Sequence, residues 1–119
     1  MEIATNKRGK VLVVKPLETR LDVASAVDFK EKMADYIREG NQQIVLNISG
    51  VDFIDSSGLG AIVTSLKLQQ QEGTIAICGV RETIKSMFKL TRMDRIFQIY
   101  EHEDEAVEVM KKNNLFSWT

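Results

Sequence analysis

The chain has 119 residues, enough for one domain that buries roughly two thirds of its unfolded surface without disulfide or metal staples. Hydrophobic residues make up 44% and charged residues 28%, a globular composition in which no apolar run reaches the length of a membrane span. Sixteen basic and seventeen acidic residues leave a net charge of −1, so there is no electrostatic footprint for nucleic acid or anionic lipid.

In chain order, residues 3–6 and 11–15 are short strand candidates joined by Lys7, Arg8, Gly9 and Lys10, a polar turn that predicts a β-hairpin. Pro16 ends the second strand because it has no ladder donor. A linking stretch, 17–22, follows, with Asp22 or Ser25 as N-cap of a helix over 26–38. Its apolar positions Ala26, Phe29, Met33, Tyr36 and Ile37 follow helical spacing, and Gly40 with Asn41 stops it. Residues 44–48 are almost continuously apolar and mostly β-branched, as in a strand covered on both faces. After a Ser49-Gly50 turn and the stretch 51–58 comes a second helix, 59–71. Leu59, Ile62, Val63 and Leu66 are expected to face inward, with Lys67, Gln69, Gln70 and Gln71 outward and Gly73 closing it.

Residues 74–80 form the next buried strand candidate, which holds the lone cysteine, Cys78. One cysteine excludes an internal disulfide, and its apolar setting predicts a buried, inert thiol. A third helix is expected to turn Ile84, Met87, Phe88 and Leu90 inward. A helical turn or loop at 93–97, a short strand at 98–100 and a final helix complete the series. That last helix opens on acidic residues 101–105, carries Ala106, Val109 and Met110 inward, and ends on Lys111 and Lys112, a charge order that suits the helix dipole. The tail 114–119, beyond a domain of 1–113, is apolar for a terminus and is expected to fold back or join an interface. Alternation of helix and strand after the hairpin predicts an α/β domain: a mixed, mostly parallel sheet of four to five strands with three to four packed helices. With no cationic, apolar signal segment at the start, the expected location is cytoplasmic.

The stretch 51–60 carries the chemistry, because Ser56 and Ser57 stand at a predicted helix N-terminus, where unpaired N–H groups and the helix dipole favour negative charge. Enzyme readings fail there. A hydrolase elbow needs glycine on both sides of its nucleophile; Ser57 has Asp55 and Leu59 at those offsets, Ser56 has Ile54, and the sole histidine, His102, lies far along the chain. Gly58-Leu59-Gly60 begins like a dinucleotide fingerprint, but Val63 stands at the third glycine position and no Walker lysine follows. Asp52 and Asp55, three apart without a third acid nearby, read as turn and cap residues before metal ligands. The structural reading is a capped turn, with Asp55 or Ser56 accepting from a helix N–H. Two glycines in a first helical turn cost about 1 kcal/mol each relative to alanine, which points to close approach by another backbone. We expect that backbone to be a partner's.

Asp55-Ser56-Ser57-Gly58-Leu59-Gly60, after an apolar strand and short apolar turn, resembles the phosphorylation motif of bacterial anti-sigma factor antagonists, the STAS-domain family. The hairpin and the segments 21–26 and 88–97 also fall where that family has counterparts. The resemblance implies a partner switch without catalysis or cofactor of its own. The unmodified protein would bind an anti-sigma factor that is itself a serine kinase, freeing the sigma factor. The kinase, with ATP and magnesium, would phosphorylate Ser57, with Ser56 the alternative, and a metal-dependent serine phosphatase would reset the switch. Asp55, Ser56, Gly58, Leu59 and Gly60, with Asp22 and Ser25, would form the partner surface, on a monomer or weak dimer. The alternative is the same fold as a scaffold or sensor module in a partner-switching complex whose output is not a sigma factor.

Overall fold

Val11, Leu12, Val13 and Val14 form a β-branched and aliphatic run with no polar face, and such a run is stable only as a strand covered on both sides. That is how the computed structural model, which describes residues 1–70 and 73–116 with side chains through residue 112, arranges it. Strand β1 (Ile3–Arg8) turns through Gly9, whose φ of +65° favours glycine, into β2 (Val11–Pro16). Then come β3 (Arg20–Leu21), α1 (Val23–Arg38), β4 (Gln43–Asn47), β5 (Phe53–Ile54) and α2 (Ser56–Gln69). The chain continues through β6 (Thr74–Cys78), α3 (Glu82–Leu90), the single turn α4 (Met93–Ile96), β7 (Gln98–Tyr100) and α5 (Glu103–Phe116).

The main sheet has the order β1-β2-β4-β6-β7; β1 pairs antiparallel with β2, and every later pairing is parallel. Alternate residues feed two cores, as the two-residue period of a strand requires. Leu12, Val14, Ile44, Leu46, Ile75 and Ile77 pack under α1, α2 and α3 with Phe29, Met33, Ile62, Ile84 and Phe88. Val11, Val13, Val45, Ala76 and Cys78 pack on the other face against Ala106, Val107 and Met110 of α5. Arg8 pins α5 to the hairpin through Glu103 at 3.1 Å and Asp104 at 2.8 Å.

Hairpin, mixed sheet and alternation follow the sequence reading; the differences are local. Among the described residues there are five helices, one more than the upper expectation, because 93–96 closes a turn of its own. Helix α1 begins at Val23 rather than Ala26, and α2 at Ser56 rather than Leu59. Strands β3 and β5, two residues each, fall where the sequence reads as linker and turn. Gln69 is fully buried instead of outward, because it lies three and four residues after Leu66 and Ser65 on their face. Its Nε2 donates to the Asn41 carbonyl at 2.6 Å. Leu90 is 84% exposed, since two residues past Phe88 the helix has turned it roughly 200° from the core. In α5 Val107 is buried, while Val109 is only half-buried. The expectations for Gln71 and for the packing of the tail lie outside the described residues.

Candidate functional site

The two segments that leave the carboxyl ends of neighbouring strands β2 and β4 run side by side, because β3 and β5 pair in parallel with Arg20 opposite Phe53 and Leu21 opposite Ile54. The Thr19 carbonyl accepts from the N–H groups of Asp52 (2.8 Å) and Phe53 (3.3 Å), and the Leu21 carbonyl from Asp55 (3.2 Å). These bonds bring the starts of α1 and α2 together.

Asp22 caps α1. Its Oδ1 accepts from the Ala24 N–H at 3.1 Å, and Ser25 Oγ accepts from the Asp22 N–H at 3.1 Å, a reciprocal capping box. Arg20 Nε donates to Asp22 Oδ2 at 3.2 Å, and the Arg20 guanidinium lies 4.0 Å from the centroid of the Phe53 ring. The hydrogen bond from Arg20, above all, holds the Asp22 carboxyl below its ordinary pKa.

Asp55 caps α2, and its carboxylate works twice: Oδ1 accepts from the Gly58 N–H at 2.9 Å and Oδ2 from the Val23 N–H at 3.1 Å. The Leu59 N–H returns to the Asp55 carbonyl at 2.9 Å. The N–H groups of Ser56 and Ser57 precede any helical partner and remain the orphan donors of the first turn. The Ser56 side chain is exposed; Ser57 is half-buried.

The two glycines have different reasons. A Cβ at Gly58 would run into the carbonyl oxygen of Leu21 and lie 2.7 Å from its carbonyl carbon, whereas a Cβ at Gly60 would meet nothing within 4 Å. The backbone that requires Gly58 is therefore the protein's own β3, which corrects the expectation that a partner's approach explains both. Gly60 is exposed. It borders a groove of about 280 Å³ between α1 and α2, into which Val27, Lys30, Ser57 and Thr64 also open.

Of the residues singled out from sequence, Asp22, Ser25, Asp55, Ser56, Ser57, Gly58, Leu59 and Gly60 belong to these two helix starts, with Leu59 half-buried against the core. Sequence reading passed over the α1 flank of the groove. Val23 and Val27 are 72% and 60% exposed, unusual for valine, and their spacing of four on a helix was a visible signal.

This arrangement can be set beside known proteins. The family model for the STAS domain matches residues 2–106. The chain belongs to the STAS domain family. A candidate anti-sigma factor antagonist of Thermotoga maritima is 33% identical to it over 104 residues, 86% of this chain and 91% of that protein. An anti-sigma-B factor antagonist of Staphylococcus aureus is 30% identical over 110 residues, 92% and 97% of the two chains. A crystal structure of a candidate antagonist from Thermotoga maritima superposes with a TM-score of 0.84 at 30% identity, covering 92% of this chain and 94% of that one. The antagonist SpoIIAA shares the STAS fold at 18% identity, with TM-scores of 0.71 for its unphosphorylated form and 0.69 for the phosphorylated form from Bacillus; each alignment covers 92% of this chain, and 98% and 99% of those chains. No helix among the described residues of this STAS domain is long and apolar enough to cross a membrane.

Proposed function

We propose that this STAS domain is an anti-sigma factor antagonist controlled by phosphorylation of Ser57. The observation that carries the reading is the position of Ser57: at the N-terminus of α2, half-buried, opening into the groove edged by Val27 and Lys30. Relatives of near-equal length named as antagonists support the choice, as does a fold neighbour known in phosphorylated and unphosphorylated forms. The unmodified domain binds an anti-sigma factor serine kinase in the cytoplasm through Asp55, Ser56, Leu59 and Gly60, with Asp22 and Ser25 at the adjoining start of α1. Gly58 supports that face from beneath. The domain performs no catalysis; the kinase supplies ATP and magnesium, and a metal-dependent serine phosphatase removes the phosphate.

The physics of release follows from charge. A phosphate adds about −1.5 to −2 charges. Within the domain, the orphan N–H groups of α2 and the helix dipole favour it, so the fold need not change. At a closed interface, beside the carboxylates of Asp52 and Asp55, the same dianion is costly unless the partner supplies cations. Release therefore comes from charge and bulk at the contact. Ser56 is the alternative acceptor.

The test is incubation with ATP and the anti-sigma factor kinase of the same organism, read by mass spectrometry. One phosphate should be added and Ser57→Ala should abolish it. Loss confined to Ser56→Ala moves the acceptor by one residue, and no transfer to either serine refutes the switch.

A further inference from the structure

We propose that Asp55 couples the two helix starts, so that charge placed on Ser57 is felt in the first turn of α1. The biological use of this coupling rests on Ser57 being the modified residue; the coupling itself is a property of the fold.

The geometry begins with an unusual division of labour. Val23 provides the first N–H of α1, an orphan donor that a helix normally leaves to its own cap or to water. Asp22, the cap of α1, is already engaged: Oδ1 with Ala24, Oδ2 with Arg20. The acceptor for Val23 comes instead from Asp55, 32 residues later, whose other oxygen caps α2 at Gly58. One planar carboxylate thus holds both helices, and a side-chain rotation that frees one oxygen displaces the other.

A negative group on Ser57 stands two residues after Asp55 in the same turn. It competes for the N–H groups of α2 and repels the carboxylate, because like charges this close disfavour each other. Asp55 then swings off both donors, and the Val23 N–H turns to water. Val23 opens that turn, and Val27, the other exposed valine, follows one turn later on the same face. A modification on α2 thereby alters the α1 half of the docking face as well as its own.

Substitution separates the two bonds. Asparagine is as good an N-cap as aspartate, so Asp55→Asn keeps an oxygen for Gly58 and presents its NH₂ to the Val23 N–H, where two donors face each other. Amide NMR spectra of the full chain are compared for wild type, Ser57→Asp, Asp55→Asn and the double variant. Ser57→Asp should move the Val23 amide proton upfield and speed its exchange with solvent. Asp55→Asn alone should do the same while Gly58 stays protected, and adding Ser57→Asp to it should change Val23 no further. An unmoved Val23 in Ser57→Asp overturns the coupling. An equal Val23 shift with or without Asp55 also overturns it, since the charge would then act directly through space. If Asp55→Asn does not fold, Val23→Pro serves, because proline is accepted at the first helical position and removes only the donor; Ser57→Asp should shift the neighbouring Ala24 amide in the otherwise wild-type chain and leave it unmoved in Val23→Pro, and a shift of Ala24 that persists in Val23→Pro refutes the proposal. Failure of the kinase to label Ser57 refutes the phosphorylation reading and leaves this outcome unaffected.

Discussion

Replacing Gly58 with alanine is expected to destabilise the domain, although in an ordinary helix the same change stabilises. Alanine gains about 1 kcal/mol of helix propensity over glycine. Against this, the new methyl would overlap the Leu21 carbonyl oxygen and sit 3.1 Å from the Leu21 Cβ. Both obstacles belong to backbone or to a fully buried residue, so neither can move aside alone. Overpacking of this kind costs roughly 1–3 kcal/mol. If α2 retreats instead, the Asp55–Gly58 cap stretches, and a lost cap costs about 1 kcal/mol. The net is a loss of roughly 2 kcal/mol, or a fall in Tm of roughly 6–10 °C for a domain of this size. Gly60→Ala, two residues on, is the control: its Cβ meets nothing within 4 Å, so Tm should rise by a few degrees. Thermal unfolding followed by circular dichroism measures both. If Gly58→Ala is as stable as wild type, or both variants shift in the same direction, the close approach of α2 to β3 is not what requires glycine.

Ser57→Asp should weaken binding to the kinase at least tenfold while Tm stays within a few degrees, because charge changes at partly exposed sites seldom cost much stability; a collapsed fold in that variant would remove the interface explanation. Burial pushes the Cys78 thiol up to about 12 from its ordinary 9.0. In the native state it should resist alkylation at pH 8 and react only on unfolding. Because the unfolded thiol ionises first, the stability it contributes should decline as pH rises past 9, a slope that Cys78→Ala removes. The Asp22 carboxyl, held below its ordinary 3.8 by Arg20, has the opposite sign: its contribution is present above that value and is lost as pH falls below it. Urea unfolding of Asp22→Asn between pH 2 and 6 should show a flatter acid limb than wild type, and an unchanged limb would exclude Asp22 as a source of acid sensitivity.

Much of this protein is written locally. The apolar runs at 11–14 and 44–46 specify strands covered on both faces, since every residue is apolar and a one-sided strand would alternate. The Asp55 cap and the Ser56-Ser57 turn follow from residue type within one helical turn, and the STAS motif could be read there directly. Leu90 and Gln69 escaped the same reasoning because hydrophobicity was weighed above position on the helical wheel.

What only the tertiary structure decided is the meeting of residues 20–23 with 53–58. Strands of two residues have no period to read, and their pairing becomes favourable only once β2 and β4 lie adjacent in the sheet. That pairing makes Gly58 obligatory, gives Asp55 a second donor at Val23 and sets Val27 and Ser57 on one groove. The sequence by itself offered the capping residues Asp22 and Asp55 and the serines beside them, because capping acts within a turn. Their union into one surface depends on contacts more than 30 residues apart, which no local pattern records.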